Sequence, residues 1–96
     1  MEHELKCWPE YFEAVVTGKK PFELRKADRP YRVGDTLWLR EFHPGNEGYE
    51  GMDVVQPEYT GRECRVEVTY ILAHGSFLQR GIIAMGIVNL DAPVHP

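Results

Sequence analysis

The sequence predicts an α+β fold: a small, strongly curved sheet or barrel of about five to six mostly antiparallel strands, with one main helix packed across an opening. Three observations carry that expectation. Alternation of apolar and polar residues recurs in short, separated segments, the mark of half-buried strands. Only one stretch keeps an apolar stripe at helical spacing, and it falls between the first two strand segments. The remaining segments follow one another through turns. At 96 residues the chain has room for a single core, so one domain spanning 1–96 is expected.

His3-Glu4-Leu5-Lys6-Cys7 alternates and opens the sheet. Trp8-Pro9-Glu10 starts the helix, with Pro9 in the first turn, where its missing N–H costs nothing. Trp8, Tyr11, Phe12, Val15 and Val16 form the apolar stripe, and Gly18 supplies a left-handed C-cap. Phe22-Glu23-Leu24-Arg25 alternates again; hydrophobicity places Phe22 and Leu24 inward, with Glu23 and Arg25 on the other face. Asp28-Arg29-Pro30 breaks that strand, and Val33-Gly34-Asp35 turns the chain into the strand Thr36–Phe42. His43 to Tyr59 is rich in Gly, Pro, Asn and acid and has no clear period, which predicts a long loop insertion over 43–59. Glu63–Leu72 is the longest alternating strand, a polar connection with a helical turn around Phe77 and Leu78 follows, and Ile82–Val88 closes the sheet. The tail 91–96 should be loose. The expected core is Leu5, Trp8, Phe12, Val15, Phe22, Leu24, Leu37, Leu39, Val66, Val68, Ile71, Ile83 and Ile87, with Trp38, Tyr70 and Phe77 also in packing positions.

The formal charge of −4 argues against indiscriminate binding to polyanions, but it is unevenly spread. Between positions 19 and 32, Lys19, Lys20, Arg25, Lys26, Arg29 and Arg32 stand against only Glu23 and Asp28, so that segment is +4 and the rest −8. A basic segment on an acidic body can hold an anion locally while the body repels a long duplex; a solvated charged loop has the same composition. The longest apolar run, Gly81 to Val88, is far short of the roughly 18 residues of a membrane span. The N-terminal Met1-Glu2-His3-Glu4 is polar, and two cysteines, Cys7 and Cys64, are too few for a disulfide-built secreted fold. A cytoplasmic protein with free thiols and no membrane partner is the expectation.

The chemically informative stretch is Gly18-Lys19-Lys20-Pro21-Phe22-Glu23-Leu24-Arg25. The i, i+2 spacing puts Glu23 and Arg25 on one strand face, and Lys20 reaches back to the same side. Two cations and a carboxylate there suit a ligand with a phosphate and a hydrogen-bonding base edge. The same spacing also describes an exposed charge pair worth about 0.2–1 kcal/mol. Lys19 and Arg29 extend the positive charge. Tyr31, Tyr49 and Tyr59 lie where a base can stack on a ring. His3 and Cys7 share a strand face, but no pair has the short spacing of a structural zinc site, so neither metal nor cofactor is expected.

Gly18-x-Lys20-x-x-Glu23-x-Arg25 resembles the G-x-K-x-x-E-x-R signature of the ASCH domains of the PUA-like superfamily. Val33-Gly34-Asp35, followed by Leu37, Leu39, Arg40 and Glu41, is similar to that family's second block. Leu5-Lys6, the Trp8–Phe12 helix start and the Val66–Ile71 strand resemble a small uncharacterised branch found in bacteria and phages, so the likeness runs from His3 to Val88. The resemblance implies a PUA-like barrel with a cleft beside the helix, a fold associated with RNA and modified-nucleotide binding. The expectation is a module that holds single-stranded RNA or a modified nucleoside or nucleotide in a cleft bordered by Lys20, Glu23 and Arg25, with Lys19, Arg29 and Tyr31 added as ligand-binding residues from the charge and aromatic pattern. One ASCH branch hydrolyses the acyl amide of N4-acetylcytidine with a lysine at the position of Lys20 and a threonine at that of Glu23. With Glu23 in place of the hydroxyl, that chemistry lacks its attacking group, and Lys20 and Glu23 would remain as catalytic proton-transfer groups. Two alternatives to a binding module therefore stand: a small amidohydrolase, and a phage-encoded protein that binds a host factor. A further expectation concerns the long loop. Glu47, Glu50, Asp53 and Glu58 give it a charge of −4, opposite to the basic segment, as in an acidic flap over the cleft.

Overall fold

The computed structural model describes residues 1–46, 53–73 and 77–91. Its elements run β1 (Glu2–Cys7), α1 (Pro9–Val16), β2 (Phe22–Lys26), β3 (Thr36–His43), β4 (Glu58–Leu72) and β5 (Ile82–Asn89). The five strands form one sheet in the order β1-β3-β4-β5-β2, curled into a half-barrel. β1 and β3 are parallel; the other three pairings are antiparallel. The curl follows from β4. Between Arg40 and Phe42 of β3 the register on β4 moves from Glu63 to Tyr59, around Gly61 at φ +94°. A second shift falls between Val68 and Tyr70 against β5. Bulges of this kind bend and twist a strand.

One cluster fills the concave side: Leu5, Cys7, Phe12, Val15, Leu37, Leu39, Cys64, Val66, Val68, Ile83, Met85 and Ile87. Cys7, Cys64 and Met85 join the expected residues, and Ile71 packs at the margin. Four of the expected aromatic positions are otherwise placed. Trp8, Phe22, Tyr70 and Phe77 are exposed, as is Leu24. Trp8 is the N-cap of α1, one residue outside the helix, so only Phe12 and Val15 of the stripe are buried.

Two buried acids fasten the sheet. Asp35, in the turn before β3, accepts a hydrogen bond from the Arg32 amide at 3.0 Å and one from His3 Nε2 at 2.8 Å. The N-terminal ammonium lies 3.2 Å from its other oxygen. These bonds hold its carboxyl down at about 2, with His3 the leading cause. Asp35 thus pins the start of β1 to the start of β3. Glu41 accepts from Thr60 Oγ1 at 2.6 Å and lies 3.6 Å from Arg62, which also reaches Glu13 of α1 at 3.1 Å.

The expected 43–59 loop is largely a hairpin arm. β4 starts at Glu58, not Glu63, so His43 pairs with Glu58 and Phe42 with Tyr59. An antiparallel bridge from Asn46 to Val55 carries the ladder further. Glu47, Tyr49 and Glu50 lie outside the described residues, as do His74 and positions 92–96 of the expected loose tail. Asp91 is tied down: its carboxylate accepts the Arg65 amide at 2.7 Å.

Candidate functional site: an aromatic cleft over a buried acid

The end of α1 sets the position of Lys20. Gly18 takes φ +78°, its amide donates to Val15 O, and the Lys20 amide donates to Ala14 O at 2.9 Å. Pro21 then biases Lys20 toward an extended backbone, and its carbonyl accepts the Ile87 amide at 3.1 Å. From that anchor β2 runs beside β5 with Glu23 opposite Met85 and Arg25 opposite Ile83. Both partners are core residues. Cross-strand partners share a face, so Glu23 and Arg25 point inward. Phe22 and Leu24 lie opposite Gly86 and Ala84 and point outward. The expected facing of β2 is therefore reversed.

Glu23 is only 2% exposed. Its Oε1 accepts from Lys20 Nζ at 2.9 Å and its Oε2 from Arg25 Nε at 3.0 Å. Arg25 Nη2 donates to the carbonyl of Lys6 on β1 at 3.0 Å, and Arg29 Nη1 to that of Glu4 at 3.1 Å. β1 and β2 are the two edges of the sheet, so these arginines span the open seam of the half-barrel. The acid is a buried anchor that orients two cations, and not an exposed half of a surface pair.

Above this floor lies a cleft of about 590 Å³, lined by Lys6, Cys7, Trp8, Tyr11, Lys20 and Phe22, with Glu23, Leu24 and Arg25. Its walls are the exposed apolar side chains: Trp8 at 51%, Tyr11 at 48%, Phe22 at 43% and Leu24 at 52%. Trp8 and Tyr11 stack at 6.4 Å, and Lys20 Nζ sits 5.0 Å from the Tyr11 ring and 5.6 Å from that of Phe22. A ligand here would meet aromatic side chains on its sides and charged donors beneath. Burial, reinforced by Glu23, pushes the Cys7 thiol up to about 12, and burial pushes Cys64 to about 11, so neither is a thiolate nucleophile near neutral pH.

A second cleft of about 990 Å³ adjoins the first. Arg29 and Tyr31 fall here with Lys26 and Tyr59, while Lys19 is exposed and lines neither cleft. Tyr31 packs on His3 at 4.7 Å, and burial raises its phenol despite Arg29 and Arg25 nearby. Sequence reasoning thus found the charged floor and missed the walls, because Trp8, Phe22 and Leu24 read as core. Among the described residues, no group of three or more His, Cys, Asp or Glu comes together as a metal site, and no helix is long and apolar enough to cross a membrane.

Residues 2–87 match the family described as a domain of unknown function, DUF3850. The chain is a member of that family. Over 92 residues this DUF3850 chain is 33% identical to an uncharacterised 12.9 kDa protein in the GpA 3′ region of Escherichia phage P2, covering 96% of the chain and 73% of the relative. A family without assigned function and a phage relative agree with the expected uncharacterised phage or bacterial branch. Both the buried acid and the aromatic walls of the DUF3850 cleft lie within the matched residues.

Proposed function

We propose that this chain is a PUA-like binding module of the ASCH type that holds single-stranded RNA or a modified nucleotide in the smaller cleft. One observation carries the reading: a buried carboxylate fixes two cations at the floor of a cleft whose walls are exposed aromatic rings. Nucleotides offer the matching chemistry, a π-face for the walls and a phosphate for the cations. A stacked base contributes about 1–3 kcal/mol. Lys20 and Arg25 are the groups that meet the ligand, and Glu23 positions them from below. Both Glu23 oxygens already accept from a cation, and no hydroxyl stands at its position, which favours binding over hydrolysis.

The test is a titration followed by amide chemical shifts, with the four ribonucleoside 5′-monophosphates, N4-acetylcytidine 5′-monophosphate and short single-stranded RNAs. Shifts centred on Trp8, Tyr11, Phe22 and Lys20, without turnover, are expected. Release of acetate from the acetylated probe would install the amidohydrolase reading instead. Absence of shifts from the whole panel, with a host protein captured in a nuclease-resistant complex, would replace it with the host-factor reading.

A further inference from the structure

The two clefts share one wall. Lys6, Leu24 and Arg25 line both, and two of those three are cations. Trp8, Tyr11 and Phe22 stand on one side of it. Tyr31 and Tyr59 stand on the other, with Lys26 and Arg29. Resting on the nucleotide-binding reading above, we infer that the ligand contains at least two linked nucleotides. One base occupies the smaller cleft, its neighbour the larger, and the phosphodiester between them crosses Lys6 and Arg25.

Size, charge and spare hydrogen-bonding capacity support this. Each cleft alone falls within the roughly 300–1,000 Å³ of a small-ligand site, so together they hold more than a single nucleotide. In the larger cleft, Glu4 is committed to Arg40 at 2.7 Å, which leaves Asp28 as the acid facing Lys6, Arg25, Lys26 and Arg29. Arg25 Nη2 and Arg29 Nη1 now donate to neutral carbonyls across the seam. A phosphate oxygen is the stronger, charge-assisted acceptor, so a phosphodiester on this wall can compete for these donors. Arg25 keeps its Nε on Glu23 throughout and so stays aimed. Rings on either side of a cationic wall follow the repeat of a single strand: base, phosphate, base.

The experiment measures affinities of the full chain by calorimetry for the nucleoside 5′-monophosphates of the panel above, for 5′-phosphorylated dinucleotides built from them, and for a charge-matched abasic dinucleotide. The expected result is a dinucleotide bound about tenfold or more tighter than its better component, as one added stacked base and phosphate would give. Arg29→Ala and Tyr59→Ala should each remove most of that ratio, while Arg80→Ala, outside both clefts, should preserve it. If circular dichroism shows that Arg29→Ala does not fold, Lys26→Ala carries the same comparison. Equal affinity for mononucleotide and dinucleotide would overturn the two-unit site and leave the nucleotide-binding reading standing. So would a gain matched by the abasic probe, since charge alone would then explain it. If no probe binds, the functional reading falls and this inference with it.

Discussion

Glu23 is the residue on which the candidate site turns, and its environment makes its removal costly. Glu23→Ala would leave Lys20 and Arg25 part-buried with no counter-charge, and breaking a buried pair from one side costs about 3–5 kcal/mol. Both cations reach solvent, so a loss near about 3 kcal/mol is expected in urea unfolding, with Glu23→Gln losing less because it keeps one acceptor oxygen. A neutral Glu23→Ala would mean that the acid holds nothing in place. Asp35 gives a second residue-scale expectation. Its folded carboxyl, at about 2, lies below its ordinary value of 3.8. The stabilisation is therefore complete above the unfolded value and is lost as pH falls through about 2. Between about pH 5 and 2 the wild-type urea midpoint should fall more steeply than that of Asp35→Asn, and parallel curves would rule the linkage out. The sequence made Glu23 and Arg25 legible as a same-face pair, because strand period alone settles which residues share a face. It did not settle which face turns inward. Phe22 and Leu24 are the more apolar pair, yet the partners imposed by β5 put Glu23 over Met85.

Among the elements, α1 and the β3–β4 hairpin show where sequence patterns stop short. The helix start, the Gly18 cap and the buried Phe12 and Val15 were all readable. An eight-residue helix with a wide stripe, however, turns one edge of it away from the core, and Trp8 and Tyr11 become a cleft wall. The hairpin arm carries no strand pattern because Gly, Pro and acid interrupt its period, while its pairing comes from backbone bonds that leave no hydrophobic trace. Gly45 shows the tightness of that pairing: it sits at φ +78°, and a Cβ there would run into Val55 O. Replacing residues 46–55 with a short Asn-Gly turn would keep the Phe42–Tyr59 and His43–Glu58 pairs. It would also remove the acids Glu47, Glu50 and Asp53. The shortened protein should fold and bind an anionic nucleotide more tightly at low salt, with the difference fading as salt screens it. Weaker binding at every salt concentration would show that the arm supplies contacts.

At the scale of the whole molecule, the charge asymmetry visible in the sequence acquires a location. Much of the basic 19–32 segment forms β2 and the turn after it, along both clefts, while the body carries the compensating acids. Lys20→Ala should weaken nucleotide binding and flatten its salt dependence. Arg62→Ala and Arg80→Ala, away from the clefts, should do little; equal losses at all three would mean diffuse attraction. The unclosed seam has a consequence of another kind. β1 and β2 end the sheet, and an uncovered strand edge is a template for a strand from a neighbouring molecule. Arg25 and Arg29, drawn across the gap onto Lys6 O and Glu4 O, occupy acceptors that an incoming strand would need. Both would then act as gatekeepers of the edge. Arg29→Ala, which leaves the Glu23–Arg25 pair intact, should self-associate more than the wild type in light scattering as concentration rises, and Arg29→Lys should restore the wild-type behaviour; a folded Arg29→Ala that associates no more than the wild type would show that the edge is protected in some other way. The same side chains that are proposed to meet a nucleotide would then also keep copies of the chain apart.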